Sequence, residues 1–333
     1  MKYLFFDIEC AGVSKNKARI CAFGYCLTDE KFKILEKEDL LINPQSKFHL
    51  TDRRGEQGIV LPYSYGEFKN YPTFPEVFSK IKSLIEDKDT LVAGHATMND
   101  VKYLNLECNR FSLPSLTFNF SDTQFIYMNK ISEFSRQFGL QTIADELGVE
   151  FTPHRAVDDA YATMRIAEAM CKELQTDFLG LLEHYQITTG RIENYEITQN
   201  TSVFHQEHLE KVAKKKEERE RCRAEFHNFY DKEKRKRAKD GKLKNKRVCF
   251  SHSLVFDVEQ AKTLLKGAFD QAAFYSFRAE ECDIYVYADG ETGPRMNSAQ
   301  ENKARLLSIE EFKKLVLEKK AETDKSTRQV CVE

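Results

Sequence analysis

The chain opens on Tyr3-Leu4-Phe5-Phe6, an almost unbroken apolar run, followed at once by Asp7-Ile8-Glu9. A short run of this kind reads as a strand buried on both faces, and the strand period of two sets Asp7 and Glu9 side by side on one face. Strands are predicted over Tyr3–Ile8, Ile20–Leu27 and Phe32–Ile42, with Thr28-Asp29-Glu30-Lys31 as the turn between the last two and Asn43-Pro44 closing the meander. Helical spacing follows over Pro75–Ile85 (Val77, Phe78, Ile81, Leu84, Ile85), and a strand over Thr90–Gly94 leads into a helix over Val101–Phe111. Phe118–Tyr127 is strand-like, Gly139–Leu147 is a short helix ending at Gly148, and a long helix runs from about Ala156 to Leu174. The core face of that helix is drawn by Val157, Ala160, Tyr161, Met164, Ala167 and Cys171. Three antiparallel-looking strands followed by alternating helices and strands predict an α/β fold, a mixed sheet flanked by helices, which alone decides no chemistry.

The pattern changes abruptly at about Phe204, where Lys, Arg and Glu crowd out apolar positions until Lys246, with a break at Asp240-Gly241. From Arg247 globular patterning returns: strand Arg247–Ser251, helix Val258–Phe269, strands Ala273–Phe277 and Asp283–Ala288, an irregular segment, strand Arg305–Leu307 and helix Ile309–Val316. The expected organisation is a first domain over 1–185, a charged, largely helical basic connector over 186–246, a small α/β module over 247–320 and a disordered tail over 321–333.

Composition changes this picture in four places. At 333 residues and 41% hydrophobic content, the chain has enough apolar material for about two cores. No stretch approaches the roughly 18 apolar residues of a membrane span, and Met1-Lys2 leads directly into a strand, so a soluble, cytoplasmic protein with no membrane partner is expected. Nine cysteines without a C-x-x-C pair point to reduced thiols rather than disulfides or zinc. The net charge of −2 hides an asymmetry: Lys211 to Arg247 holds 17 Lys/Arg against 7 Asp/Glu, a local +10 against −12 for the remainder.

Two carboxylates ending a buried strand repel each other and resist desolvation, a cost that cations between them would offset. Asp7 and Glu9 therefore suggest a metal site, although acids also end strands for no such reason. Two further segments carry acids. Leu91-Val92-Ala93-Gly94-His95 leads to Asn99-Asp100 in the first turn of a helix, where either residue could instead be an N-cap. Pro153-His154-Arg155-Ala156-Val157-Asp158-Asp159-Ala160 places two acids in the first turn of the long helix, which the helix dipole also favours. A separation of five would set His154 and Asp159 roughly 140° apart on a helix, so His154 reads as a loop residue that folds back over the site.

Taken in order, Phe6-Asp7-Ile8-Glu9, His95 through Asp100, and His154-x-Ala156-x-x-Asp159-Ala160 make residues 1–175 resemble the DEDDh family of 3′→5′ exonucleases, relatives of polymerase proofreading subunits and of ribonuclease T. The resemblance implies a ribonuclease H-like sheet in which Asp7, Glu9, Asp100 and Asp159 hold two Mg²⁺ or Mn²⁺ ions and His154 is the general base. The family acid lies five residues after the histidine, which selects Asp159 over Asp158, and the sister subtype's tyrosine is replaced by Arg155. It further implies release of nucleoside 5′-monophosphates from the 3′ ends of single-stranded or frayed nucleic acid, with DNA favoured. Substrate contacts are implied at Cys10, Ala11, Gly12 and Val13, where Cys10-Ala11 stands in place of a frequent Thr-Thr, and at Asn99, where an aromatic often precedes the acid. An exoribonuclease trimming short RNA, and a non-catalytic nucleic-acid-binding scaffold, are the alternatives.

Lys214-Lys215-Lys216 and Lys234-Arg235-Lys236-Arg237 flank Phe226, Phe229 and Tyr230, a pattern suited either to single-stranded nucleic acid or to a solvated helix whose aromatics dock on a neighbouring domain. The order of elements over 247–318 resembles a degenerate BRCT domain, the small four-stranded module of DNA-repair proteins, through Phe250-Ser251-His252-Ser253-Leu254 and Ile309-Glu310-Glu311-Phe312. That resemblance implies a DNA or protein partner for the module; it would set Ser251 and Lys303 near a phosphate pocket, although ordinary surface positions are the favoured reading of both, and an anonymous α/β interaction module fits the same residues.

Overall fold

In a computed structural model, which describes residues 1–46, 65–150, 155–288 and 290–317, the opening apolar run is an interior strand of a seven-stranded sheet. Strand β1 (Lys2–Ser14) pairs antiparallel with β2 (Lys17–Asp29), and β2 with β3 (Ile34–Leu41). The chain continues through α1 (Tyr65–Phe68) and α2 (Phe74–Ile85) into β4 (Thr90–Gly94), parallel to β1, then through α3 (Met98–Arg110) into β5 (Phe118–Asp122), parallel to β4. Helices α4 (Thr123–Lys130), α5 (Leu140–Leu147), α6 (Ala156–Leu174) and α7 (Phe178–His184) precede four short strands, β6 (Ile187–Thr188), β7 (Gly190–Glu193), β8 (Glu196–Thr198) and β9 (Thr201–Ser202). The sheet order is β3-β2-β1-β4-β5-β7-β8, and β6 pairs separately with β9.

The uninterrupted apolar character of β1 has a direct cause, because both of its faces are covered. Leu4, Phe6 and Ile8 enter a core with Phe78 and Ile81 of α2 and Leu104 of α3, while Tyr3 and Phe5 enter a second core with Met164 and Met170 of α6 and Phe178 of α7. This is a mixed α/β architecture with helices on either side of the sheet.

Three boundaries differ from the sequence expectation. The first strand runs past Ile8 to Ser14, with irregularities between Glu9 and Cys10 and between Cys10 and Val13. The strand-like stretch over 118–127 breaks at Asp122, whose carboxylate accepts from the Gln124 and Phe125 N–H groups and so starts α4. Residues 187–202, expected within the connector, form β6 to β9, and β7 extends the main sheet.

The chain divides into two compact units, Met1–Glu210 and Lys211–Glu333, and helix α8 (Val203–Glu233) contributes to both. In the second unit, β10 (Arg247–Phe250), α9 (His252–Phe256), α10 (Val258–Asp270), β11 (Phe274–Tyr275), β12 (Ile284–Tyr287), α11 (Pro294–Glu301), β13 (Arg305–Ser308) and α12 (Ile309–Leu317) build an all-parallel sheet in the order β11-β10-β12-β13. Helix α11 fills the segment read as irregular. Only Ala299 of its eight residues is buried, so it carries almost no apolar stripe. Phe226 of α8 is fully buried, its ring centroid 6.1 Å from Phe250 and 5.4 Å from Tyr275, and Phe229 and Tyr230 pack beside it. The aromatics of the basic stretch are thus core residues of this module and are not displayed for base stacking. The Ser251 hydroxyl is buried and caps α9 by accepting from the Leu254 N–H. The expected tail lies outside the described residues.

The eight cysteines of the described residues are free thiols, seven of them buried. Among the described residues, no helix is long and apolar enough to cross a membrane.

Candidate active site

Strand register builds the site from one row of residues. Asp7 of β1 lies opposite Gly24 of β2, and Gly24 lies opposite Asp39 of β3, so the three share one face of the sheet. Gly24 leaves a gap in that row, and the first turn of α6 occupies it: a Cβ at Gly24 would stand 2.0 Å from the Ala156 carbonyl carbon and 2.1 Å from the Val157 nitrogen. This close seating brings Asp159 to the strand. Carboxylate oxygens of Asp7, Glu9 and Asp159 lie within 4.8 Å of one another. Asp100, 5% exposed in the first turn of α3, lies outside that tight group yet feels the charges of Asp7, Glu9 and Asp159. The four acids gather just beyond Phe5 and Ala93, where the parallel pairing of β1 with β4 stops, the carboxyl edge at which open α/β sheets take their ligands.

Burial is the largest influence on these acids, and their mutual repulsion adds to it. Asp7 is held well above the ordinary carboxylate range by burial, then by Asp159, Glu9 and Asp39; Asp100 is held there by burial, then by Asp7 and Asp122. Glu9 is pushed up to about 8 by burial, then by Asp159 and Asp39. A folded-state pKa above the unfolded one means that the folded chain binds the extra proton between the two values. The resulting stabilisation is complete below about 4.5 and lost as pH approaches about 8. The metal-free chain is therefore expected to show a falling melting temperature across that window, and saturating Mg²⁺ is expected to flatten the slope by replacing the protons. A metal-free profile that is level or rising from pH 5 to 8, followed by differential scanning fluorimetry, would contradict this account.

Neighbouring groups hold the frame. His95 bridges the Thr123 hydroxyl and the Phe138 carbonyl, both at 3.1 Å, and burial pushes its pKa down to about 4, so it acts as a neutral structural pin. Asp122 accepts from the Ala96 and Thr97 N–H groups at 3.0 Å, fixing the turn that delivers Asp100. On the other side, Lys37 pairs with Asp158 at 3.4 Å and Arg155 with Asp39 at 3.2 Å, tying β3 to the start of α6. Asp158 is thus committed to Lys37 while its neighbour Asp159 turns inward.

Other residues singled out in the sequence are scattered. His154 lies outside the described residues. Cys10 is buried in the main core, and Ala11 packs with Cys21 and Phe68 in a small separate one, so neither side chain faces a ligand. Gly12 is half-buried, whereas Val13 and Asn99 are exposed. Sequence reasoning missed Asp39: in Glu36-Lys37-Glu38-Asp39 it resembles the other charges of an edge strand, and only its register opposite Gly24 distinguishes it. Asp122 was hidden inside a stretch read as continuous strand.

With this geometry, all four acids fall within one stretch of sequence similarity. Residues 4–167 match the exonuclease family model, RNase_T. The match supports a nuclease, a hydrolase that uses divalent metal, for this part of the chain, and it runs from β1 into α6. No curated protein matches the chain. Solved structures similar to it include a 3′-exonuclease described in 3′-end specific recognition of histone mRNA stem-loop (15% identity, 61% of this chain and 71% of that one, TM-score 0.46). Another is the nuclease domain of 3′hExo, a DEDDh family member bound to rAMP (17% identity, 52% and 91%, TM-score 0.41). A third is E. coli Exonuclease I with a dA16 oligonucleotide (18% identity, 55% and 42%, TM-score 0.43).

The donor set fits a hard divalent cation. It consists of carboxylate oxygens alone, without sulfur or a described imidazole.

Proposed function

We propose that the chain is a metal-dependent 3′→5′ exonuclease that hydrolyses single-stranded or frayed nucleic acid, DNA in preference to RNA, to nucleoside 5′-monophosphates. The observation that carries this is the convergence of Asp7, Glu9 and Asp159 oxygens within 4.8 Å inside a segment matched to the exonuclease family. Asp7, Glu9, Asp100 and Asp159 would hold two Mg²⁺ or Mn²⁺ ions, which supply charge stabilisation to the attacking water and the departing oxygen. The carboxylates fix where the scissile phosphate sits. His154 takes the proton of the attacking water, an assignment that rests on its position five residues before Asp159 in the sequence. Preference for RNA requires a group that meets the 2′-hydroxyl. Cys10 and Ala11 offer no such group beside Glu9, which supports DNA.

For residues 247–317 we propose a BRCT-like module that brings the nuclease to DNA or to a protein partner, supported by its four-stranded parallel sheet with flanking helices. The nuclease is tested with 5′-labelled single-stranded DNA and RNA in Mg²⁺ or Mn²⁺. A ladder that shortens from the 3′ end, with mononucleotide product and arrest by a blocked 3′ terminus, is the expected result. Intact oligonucleotides under every metal condition would overturn the proposal.

A further inference from the structure

A second cavity, of about 450 Å³, adjoins the acidic site on the neighbouring side of α3. Met98, Asn99 and Lys102 of α3 line it, and Asp100, the next residue after Asn99, turns about 100° around the helix toward the acids. The two sites therefore share one helical turn. Across from α3 stand Phe125, Phe134 and His205, with the His205 ring 5.4 Å from Phe125 and 5.2 Å from Phe134. All three rings are half-buried, and burial, then His208, holds His205 below its usual range, so the cluster is an uncharged aromatic wall open to solvent.

The rim is polar and cationic. Lys102 and Arg136 are exposed, and among the described residues neither lies within ion-pair distance of a carboxylate; Arg136 stacks over Phe138 at 4.5 Å. The acid in the lining, Asp122, is buried with its carboxylate occupied by backbone N–H groups. Nearby Glu133 is held by the Ser135 N–H at 2.7 Å. Gln199, Asn200 and His205 complete the wall from beyond the family-matched segment, and the remaining lining residues lie within it.

Aromatic faces beside unpaired cations and side-chain amides suit one nucleotide of a single strand: the base stacks, the cations meet the flanking phosphates, and the amides meet base edges. The volume lies within the roughly 300–1,000 Å³ of small-molecule sites. Resting on the exonuclease reading of the acidic site, we propose that this cavity is a subsite for an upstream nucleotide of the strand whose 3′ end is cut.

The test uses the full chain and three variants, Phe134→Ala, the double variant Lys102→Gln with Arg136→Gln, and the conservative Phe134→Tyr. Fluorescence anisotropy of fluorescein-labelled dT10 in EDTA is expected to show about tenfold weaker binding for the first two and near-native binding for Phe134→Tyr, with melting temperatures of the exposed double variant unchanged. In Mg²⁺, the advantage of dT10 over the dinucleotide TpT in kcat/KM should fall about tenfold, through KM. Native dT10 affinity in both weakening variants, or no dT10 binding by the unmodified chain, overturns the subsite. If the unmodified chain binds but never cleaves, the exonuclease reading fails alone, and the anisotropy comparison still decides the subsite.

Discussion

Asp159→Asn is expected to reduce mononucleotide release by at least ~10³-fold while raising the melting temperature of the metal-free chain. The two effects have opposite signs because the same charge does two things. In catalysis, Asp159 supplies a carboxylate oxygen within 4.8 Å of those of Asp7 and Glu9. An amide in its place keeps the volume but removes the charge that would retain a cation, and a loss of ~4 kcal/mol of barrier lowering corresponds to about three decades in rate. In folding, Asp159 is the leading charge that raises Asp7 and Glu9. Neutralising it relieves repulsion among buried acids that the metal-free chain otherwise carries. Asp158→Asn is the matched control. Asp158 pairs with Lys37 at the edge of the site, so its loss should change stability by less than ~1 kcal/mol and leave turnover close to native. Turnover of labelled oligonucleotide and metal-free melting curves check both. Equal loss of activity in the two variants would remove the distinction between the adjacent acids.

That distinction marks where sequence is informative. Asp7 and Glu9 are legible because a buried strand has a period of two, and the resulting side-by-side placement needs no tertiary knowledge. The span of α6 is legible because its apolar face repeats with helical spacing, and the structure gives the same bounds, Ala156–Leu174. Asp39 is not legible, since its meaning comes from its register opposite Gly24 across two strands, which a single chain does not encode locally. Asp122 failed for a related reason: a strand residue that also caps the next helix leaves the apolar pattern unbroken through Phe125 and Ile126. Phe226, Phe229 and Tyr230 stand among lysines and arginines, a composition that fits base stacking and docking on a neighbouring domain equally; packing against Phe250 and Tyr275 decides for docking.

Gly24→Ala should cost on the order of 10²-fold in turnover, although Gly24 carries no chemistry. Its Cβ would meet the Ala156 carbonyl carbon at 2.0 Å, the Val157 nitrogen at 2.1 Å and the Ala156 oxygen at 2.4 Å. All three are backbone atoms, so no rotamer change relieves the overlap and the start of α6 must lift from β2. Overpacking of this kind costs about 2–3 kcal/mol. The displaced turn carries Asp159 three residues on, while Asp7 and Glu9 remain on β1, so the distances among the three carboxylates grow. A displacement near 1 Å at a positioned reactive group costs on the order of 10²-fold in rate. Weaker Mn²⁺ binding by electron paramagnetic resonance should accompany the loss, because the same carboxylates would then meet a cation less closely. Gly139→Ala separates this steric effect from a general penalty for replacing glycine: a Cβ there meets nothing within 4 Å, so the variant loses about 1 kcal/mol of N-cap preference and keeps native turnover. A folded Gly24→Ala chain with native turnover and native Mn²⁺ affinity would show that Asp159 is positioned by something other than the seating of α6 on the bare backbone of β2.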